Sequence, residues 1–391
     1  MSPSKVLPEL GGVKNRPPRS EGGANFARDH SCRALGSYTA ENDRIPRGLT
    51  LNVIRVVIAA AISIGASCTP VEDPTIDELQ SVLANLEDDE YGDLHSVRVV
   101  QNGELVAERY YNGADDRTLL DVRSAGKSVT SLLFGIALDR GAIESLDDRV
   151  ADYWPEAEGT AVGRVRLTDV LTMRSGLAAD DEDPASPGNE DKLDAADDPL
   201  SFAMTVPGAE EPGTRYLYNS ITAYVAGVVI GRATGSGLEA FARDNLFGPL
   251  AFEEWNWQED RAGQTKGQGN LFLTAPDFTR IGEMVLNGGA YEGKQVVSSE
   301  WIKESLKPRF DISESDPYAS GYGYYWYHQT YPVNGRPIEV SFASGNGGNK
   351  IYVISDLGMV VTIMSRAYGQ GRGQRRSEAI LKAILATQRP Q

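Results

Sequence analysis

Ser124-Ala-Gly-Lys127 sets a hydroxyl three residues before an amine. In a helix that spacing places both side chains on one face, within reach of each other. A serine hydroxyl is a weak nucleophile until a neighbouring base takes its proton. Lysine serves as that base when its pKa falls toward neutrality, which burial and the positive end of a helix both promote. A helix start also leaves backbone N–H groups free to receive the oxyanion of a tetrahedral intermediate. The pattern is short: a chain of this length holds about one or two matches by chance, and Ser2-Pro-Ser-Lys5 is another. Context separates the two. Only the copy at Ser124 follows a β-rich region and opens an apolar helix, with Val129, Leu132, Leu133, Ile136 and Ala137 on its buried side and Gly141 as its stop.

Other chemistries lack their residues. There is no Gly-x-Ser-x-Gly elbow, and none of the three histidines, His30, His95 and His328, sits in a triad context. There is no Walker loop, and Gly345-Asn-Gly-Gly348 lies between strands instead of opening a helix. Two cysteines, Cys32 and Cys68, are too few for a disulfide framework or, with the histidines, a zinc site. A net charge of -17, from 38 Lys and Arg against 55 Asp and Glu, argues against a nucleic-acid partner. With 41% hydrophobic residues the chain can bury a substantial core.

The elements that must hold the pair can be read from periodicity. Leu79, Val82, Leu83 and Leu86 mark a first helix. Ser96–Gln101 and Glu104–Tyr110 are alternating runs around Asn102-Gly103, a strong hairpin signal. Helices follow at Ser220–Arg232 and after Thr274-Ala-Pro-Asp277, and strands return at Pro337–Phe342, Lys350–Ser355 and Met359–Met364 before a closing helix at Ser377–Ala386. Strands at both ends with helices between predict one antiparallel sheet assembled from the two termini, with a mostly helical insertion over about 147–290. The loop Ala178–Asp198 is strongly acidic.

Five ordered segments resemble the serine hydrolases related to class C β-lactamases and penicillin-binding D-Ala-D-Ala peptidases. They are the Ser-x-x-Lys helix with its Asp139-Arg-Gly141 exit, Ser145–Pro155, Leu171–Leu177, Pro212–Ser220 and Gly345–Asn349. The resemblance implies an α+β fold of the β-lactamase/DD-peptidase type over 91–385, acting through an acyl-enzyme without metal or cofactor. It gives Tyr218 the start of the family's second motif and a part in proton exchange with Ser124, and Ser220 that motif's third position. The third motif, Lys-Thr-Gly or His-x-Gly in the family, corresponds to Gly345-Asn346-Gly347, so the cation that would help hold a substrate carboxylate is missing. The N–H of Gly348 is then expected to complete the oxyanion hole with that of Ser124. The Tyr-Asn-Ser motif and the acidic loop resemble the branch of 6-aminohexanoate-dimer hydrolases and related esterases, in which an acidic residue meets a substrate amine; Asp181 or Asp183 would do so here, with a merely solvated loop as the alternative. Trp257, Tyr324 and Trp326 are candidates for the pocket wall, with core packing the plainer assignment. A penicillin-recognising peptidase or lactamase, and a silent cell-envelope binding protein, are the alternatives.

Before the hydrolase domain the chain reads as a disordered or mis-assigned extension over 1–50, an export signal over 51–68 and a linker with first helix over 69–90; a tail follows at 386–391. The signal has the basic flank Arg47–Arg55, an apolar run Val56–Ala66 and small residues up to Cys68. Gly65-Ala-Ser-Cys68 resembles a lipoprotein signal, without the usual Leu three places before the Cys; an ordinary secretory signal is the alternative. The protein is therefore expected to be periplasmic, membrane-anchored only through Cys68, or secreted, and to act on a small ester, amide or peptide.

Overall fold

Asn102 and Gly103 turn the chain with φ of 52° and 80°, the two positive values that a two-residue hairpin requires and that Asn and Gly adopt most cheaply. They join β1 (Leu94–Gln101) to β2 (Glu104–Tyr110). The computed structural model describes residues 74–389. The N-terminal extension, the export signal with Cys68, and the first part of the linker lie outside the described residues.

After β2 the chain leaves the sheet and returns as β3 (Phe310–Asp311), β4 (Gly321–Tyr322), β5 (Tyr327–Val333), β6 (Arg336–Gly345), β7 (Asn349–Ile354) and β8 (Met359–Ser365). The eight strands form one antiparallel sheet in the order β2-β1-β8-β7-β6-β5-β4-β3. The N-terminal hairpin thus docks on the last strand, as the terminal strand signals predict. Every residue of β7 and β8 is buried, so both faces of the sheet centre are covered.

Helix α1 (Pro74–Ala84) precedes the hairpin, and the excursion between β2 and β3 carries α2 (Gly126–Asp139), α3 (Ser220–Thr234), α4 (Ala275–Leu286) and α5 (Ser299–Leu306). The chain closes with α6 (Gly371–Ala386). Side chains of Asn219, Thr274 and Ser298 cap α3, α4 and α5 by accepting first-turn N–H groups. Helix α4 lies on one face of the sheet, where Thr279 Oγ1 meets Thr362 Oγ1 at 2.7 Å. Helix α2 is buried along nearly its whole length. At Gly135 a Cβ would stand 2.2 Å from the Trp301 ring of α5, so only glycine allows that approach.

Candidate active site

Ser124 sits in a 3-10 turn, Arg123–Ala125, that runs directly into α2. Lys127 reaches back from the first turn of α2, with Nζ 3.0 Å from Ser124 Oγ. The same Nζ donates to Ser220 Oγ at 3.2 Å and to the Gln268 carbonyl at 2.8 Å. Three acceptors match the three protons of an ammonium. Lys127 is only 2% exposed. Burial pushes its amine down, but the interaction with Tyr218 and the carboxylates of Glu190 and Asp181 act the other way and prevail, holding Lys127 above its ordinary value. The fall toward neutrality expected of a lysine base is therefore reversed in the free site, and the acidic loop is a main cause.

The turn that presents Ser124 is strained. Arg123 has φ 53°, a left-handed conformation that costs a non-glycine residue about 1 kcal/mol or more and persists only where surroundings impose it. Asp121 imposes it: its Oδ1 accepts the Arg123 N–H at 2.8 Å and its Oδ2 lies 3.1 Å from Arg123 Nε. Tyr368 supports the guanidinium from 4.4 Å away. Burial raises the Asp121 carboxyl, against the pull of Arg123 and Asn270. No sequence motif singled out Asp121. Asp121→Ala is expected to lower kcat on an ester by about 10- to 100-fold with little change in KM, since it misplaces the nucleophile. Asp121→Asn, which keeps an acceptor for the Arg123 N–H, should recover part of the loss. Equal damage in both variants, with equal loss of thermal stability, would reduce Asp121 to a folding role.

The second motif lies beside Lys127. Tyr218 packs its ring 5.0 Å from Lys127 Nζ, Asn219 caps α3 by accepting the Thr222 N–H at 2.8 Å, and Ser220 is fully buried against Lys127. Gln268 escaped sequence reading. Its signal was the glycine on each side: Gly267 and Gly269 let the backbone approach α3 and Arg123, where Cβ atoms would stand 2.9 Å from the Ala223 carbonyl and 3.1 Å from that of Arg123.

The third motif departs from expectation. Gly345 abuts the nucleophile turn so closely that a Cβ there would lie 2.0 Å from the Val122 carbonyl. Gly345, Asn346 and Gly347 line the cavity beside Ser124. Gly348 does not: its N–H donates to the Gly345 carbonyl at 3.1 Å and its carbonyl accepts from Ser377 Oγ at 2.7 Å. A Cβ on Gly348 would stand 2.4 Å from the Gly373 carbonyl, so this glycine lets α6 pack and its N–H is spent within the turn. Lys350 of β7, opposite Ser344 in the strand register, lines the same cavity.

The cavity holds about 990 Å³. Its acidic wall includes Asp180, Asp181, Glu182, Glu190, Asp191 and Asp194. Asp181 faces inward with both carboxylate oxygens buried and, among the described residues, without a hydrogen bond of good geometry. Burial raises its carboxyl to about 6, against the pull of Lys127 and Ser220. Asp183 is exposed outside the cavity, where its Oδ1 accepts the Ala185 N–H at 2.9 Å. Trp257, Tyr324 and Trp326 are core residues, each at most 4% exposed, and none reaches the cavity lining.

A family model described as "Beta-lactamase" matches residues 95–385. The chain belongs to the beta-lactamase family. Relatives in it include a 6-aminohexanoate-dimer hydrolase of Paenarthrobacter ureafaciens, 28% identical over 263 residues, which cover 63% of this chain and 66% of that protein. A beta-lactamase of Escherichia coli (strain K12) is 25% identical over 203 residues, 51% of this chain and 50% of that protein. The matched stretches thus span less than two thirds of these relatives' own lengths. The solved structure of a family VIII carboxylesterase superposes with a TM-score of 0.63 at 18% identity, covering 80% of this chain and 98% of that one, which shows the shared fold of the family.

Proposed function

We propose that the protein is an exported serine hydrolase that opens an ester or amide bond through an acyl-enzyme on Ser124. The observation that carries this function is the 3.0 Å contact between Ser124 Oγ and the buried Lys127 Nζ at the wall of an open cavity. Once Lys127 has given up one of its protons, Ser124 Oγ attacks the substrate carbonyl carbon and its proton passes to the free amine, from which Tyr218 relays it to the leaving group. The oxyanion is received at the helix start by the Ser124 N–H, with a second donor from the Gly345–Gly347 turn in place of Gly348. The leaving alcohol or amine departs with the proton, and water repeats the sequence to release the acid.

Asp181 and Glu190 help hold Lys127 as an ammonium. A cationic amine on the substrate, seated against Asp181, would offset both carboxylates and let burial lower the lysine. Such an amine would therefore bind and also ready the base. One relative is named for an aminohexanoate dimer and a fold neighbour for carboxylesters, and both bond types suit this site. Export, with lipidation at Cys68 where the signal is of the lipoprotein kind, completes the proposal and rests on the residues of 51–68.

Treating the full chain with a fluorophosphonate probe tests the assignment. The label should fall on the peptide containing Ser124 and vanish in Ser124→Ala; label on another serine would move the site. A penicillin-directed activity is favoured by one observation, the Lys350 amine beside the third motif. Penicillin hydrolysis faster than that of simple esters would select it.

A further inference from the structure

Lys350 is 2% exposed yet lines the cavity that contains Ser124. Its Nζ donates to Ser344 Oγ at 2.7 Å. Among the described residues no other hydrogen-bond acceptor and no carboxylate within 4.0 Å meets it. Its remaining surroundings are aromatic: Phe342 at 4.7 Å, with Tyr318 and Tyr352 at 6.0 Å, measured from Nζ to the ring centres. A buried amine with one partner for three protons is costly to keep charged unless something from outside completes its shell. The end of α6 nearest the cavity points the same way. Gly371 opens this 16-residue helix at the cavity wall, and no side chain caps it, so the positive end of its dipole adds to the amine's field.

We infer, on the hydrolase reading of the cavity, that Lys350 and the start of α6 form a subsite for the anionic end of the substrate, a carboxylate lying close to the scissile carbonyl. Ser344, the immediate partner of Lys350, adjoins Gly345, which abuts the nucleophile turn. The hydroxyl that Lys350 meets thus lies one strand position from the glycine packed on the nucleophile turn. Asp181 and Lys350 line the same cavity, so one substrate can present an amine to the first and a carboxylate to the second.

Two carboxylates near Lys350 are already engaged. Asp316 Oδ1 accepts the Tyr318 N–H at 2.7 Å, and Glu378 pairs with Lys382 at 2.9 Å. Burial pushes Lys350 down to about 7, with Asp316 and Glu378 pulling it back up. Of the phenols around it, Tyr318, Tyr327 and Tyr352, burial pushes those of Tyr327 and Tyr352 up, which keeps both neutral at that pH. Below pH 7 the amine is mostly protonated and ready for an anion.

The test uses the full chain carrying Ser124→Ala, so that binding is read without chemistry. Calorimetry at pH 6 compares hexanoate with hexanamide, equal in length and different in charge. Hexanoate is expected to bind at least about tenfold more tightly, a preference of roughly 1.4 kcal/mol, and adding Lys350→Met should abolish it. Lys350→Gln, which keeps a polar head, should abolish it too and guards against a folding failure of the Met variant. No preference in the parent, or a preference surviving both changes, overturns the subsite, the latter placing the carboxylate on Lys127 or elsewhere. Failure of the hydrolase assignment would instead show as absent label on Ser124, which leaves this comparison readable.

Discussion

Lys127→Met is expected to lower kcat/KM on an activated ester such as 4-nitrophenyl butyrate by roughly a thousandfold, with KM nearly unchanged. The residue hydrogen-bonds the nucleophile, Ser220 and the Gln268 carbonyl and does not itself line the cavity, so its loss removes proton transfer and leaves the binding surface. The fold should survive. A buried ammonium replaced by a thioether of similar volume relieves desolvation, against about 1–3 kcal/mol for each polar partner left unpaired. Thermal unfolding beside the kinetics separates the two effects. Lys127→Arg should be no better than Met, because guanidinium does not give up its proton near neutrality. A loss below tenfold would contradict a role for Lys127 in the chemistry.

Asp181→Asn should split the substrates. For an ester or amide bearing an amine near the scissile bond, kcat/KM should drop by about 10- to 100-fold, since the variant removes the carboxylate that meets the cation. For a neutral ester the rate should hold or rise, because Lys127 loses one of the charges that keep it protonated. The wild-type KM for the amine substrate should rise as pH falls through about 6, where Asp181 takes up a proton. Stability should move the other way from function. The folded protein holds the Asp181 proton more tightly than the unfolded chain does, so the carboxylate costs nothing below the unfolded value near 3.8 and its full cost is present above about 6. That cost is roughly 3 kcal/mol, and Asn should return part of it as a higher melting temperature at pH 7. Asp183→Asn, outside the cavity, serves as the control with no effect on either substrate. An equal fall for both substrates, or a lower melting temperature, would contradict the account of Asp181.

Features set by local chemistry were legible in the sequence. Asn102-Gly103 gave its hairpin because φ must be positive at both positions, and Thr274-x-x-Asp277 gave its cap because Thr274 Oγ1 accepts the Asp277 N–H. Ser124 and Lys127 meet because helical geometry fixes their spacing. What escaped depends on the pairing of distant segments. Strand β5 carries no strand signal in the sequence, since Pro332 and its polar neighbours disfavour one, yet Pro332 stands opposite Pro337 near the hairpin end. Helix α6 starts at Gly371, six residues before the expected Ser377, since Gly373 must pack backbone to backbone on Gly347 and Gly348, a contact that outweighs glycine's poor helix propensity. The same turn misled the oxyanion assignment: Gly348 looked like a donor to substrate and serves the helix. Lys350 was overlooked for a related reason. Its motif place is wrong by sequence, and only the register of the β6–β7 hairpin sets it against Ser344.

The central claim is a covalent acyl group on Ser124. Rapid quenching of the full chain during turnover of a slow ester, followed by peptide mass spectrometry, reads it directly. The account predicts the acyl mass on the Ser124 peptide during turnover, its accumulation in a variant impaired in deacylation, and its absence in Ser124→Ala. Steady hydrolysis with no acyl mass on that peptide, or with the acyl group on another residue, would contradict it.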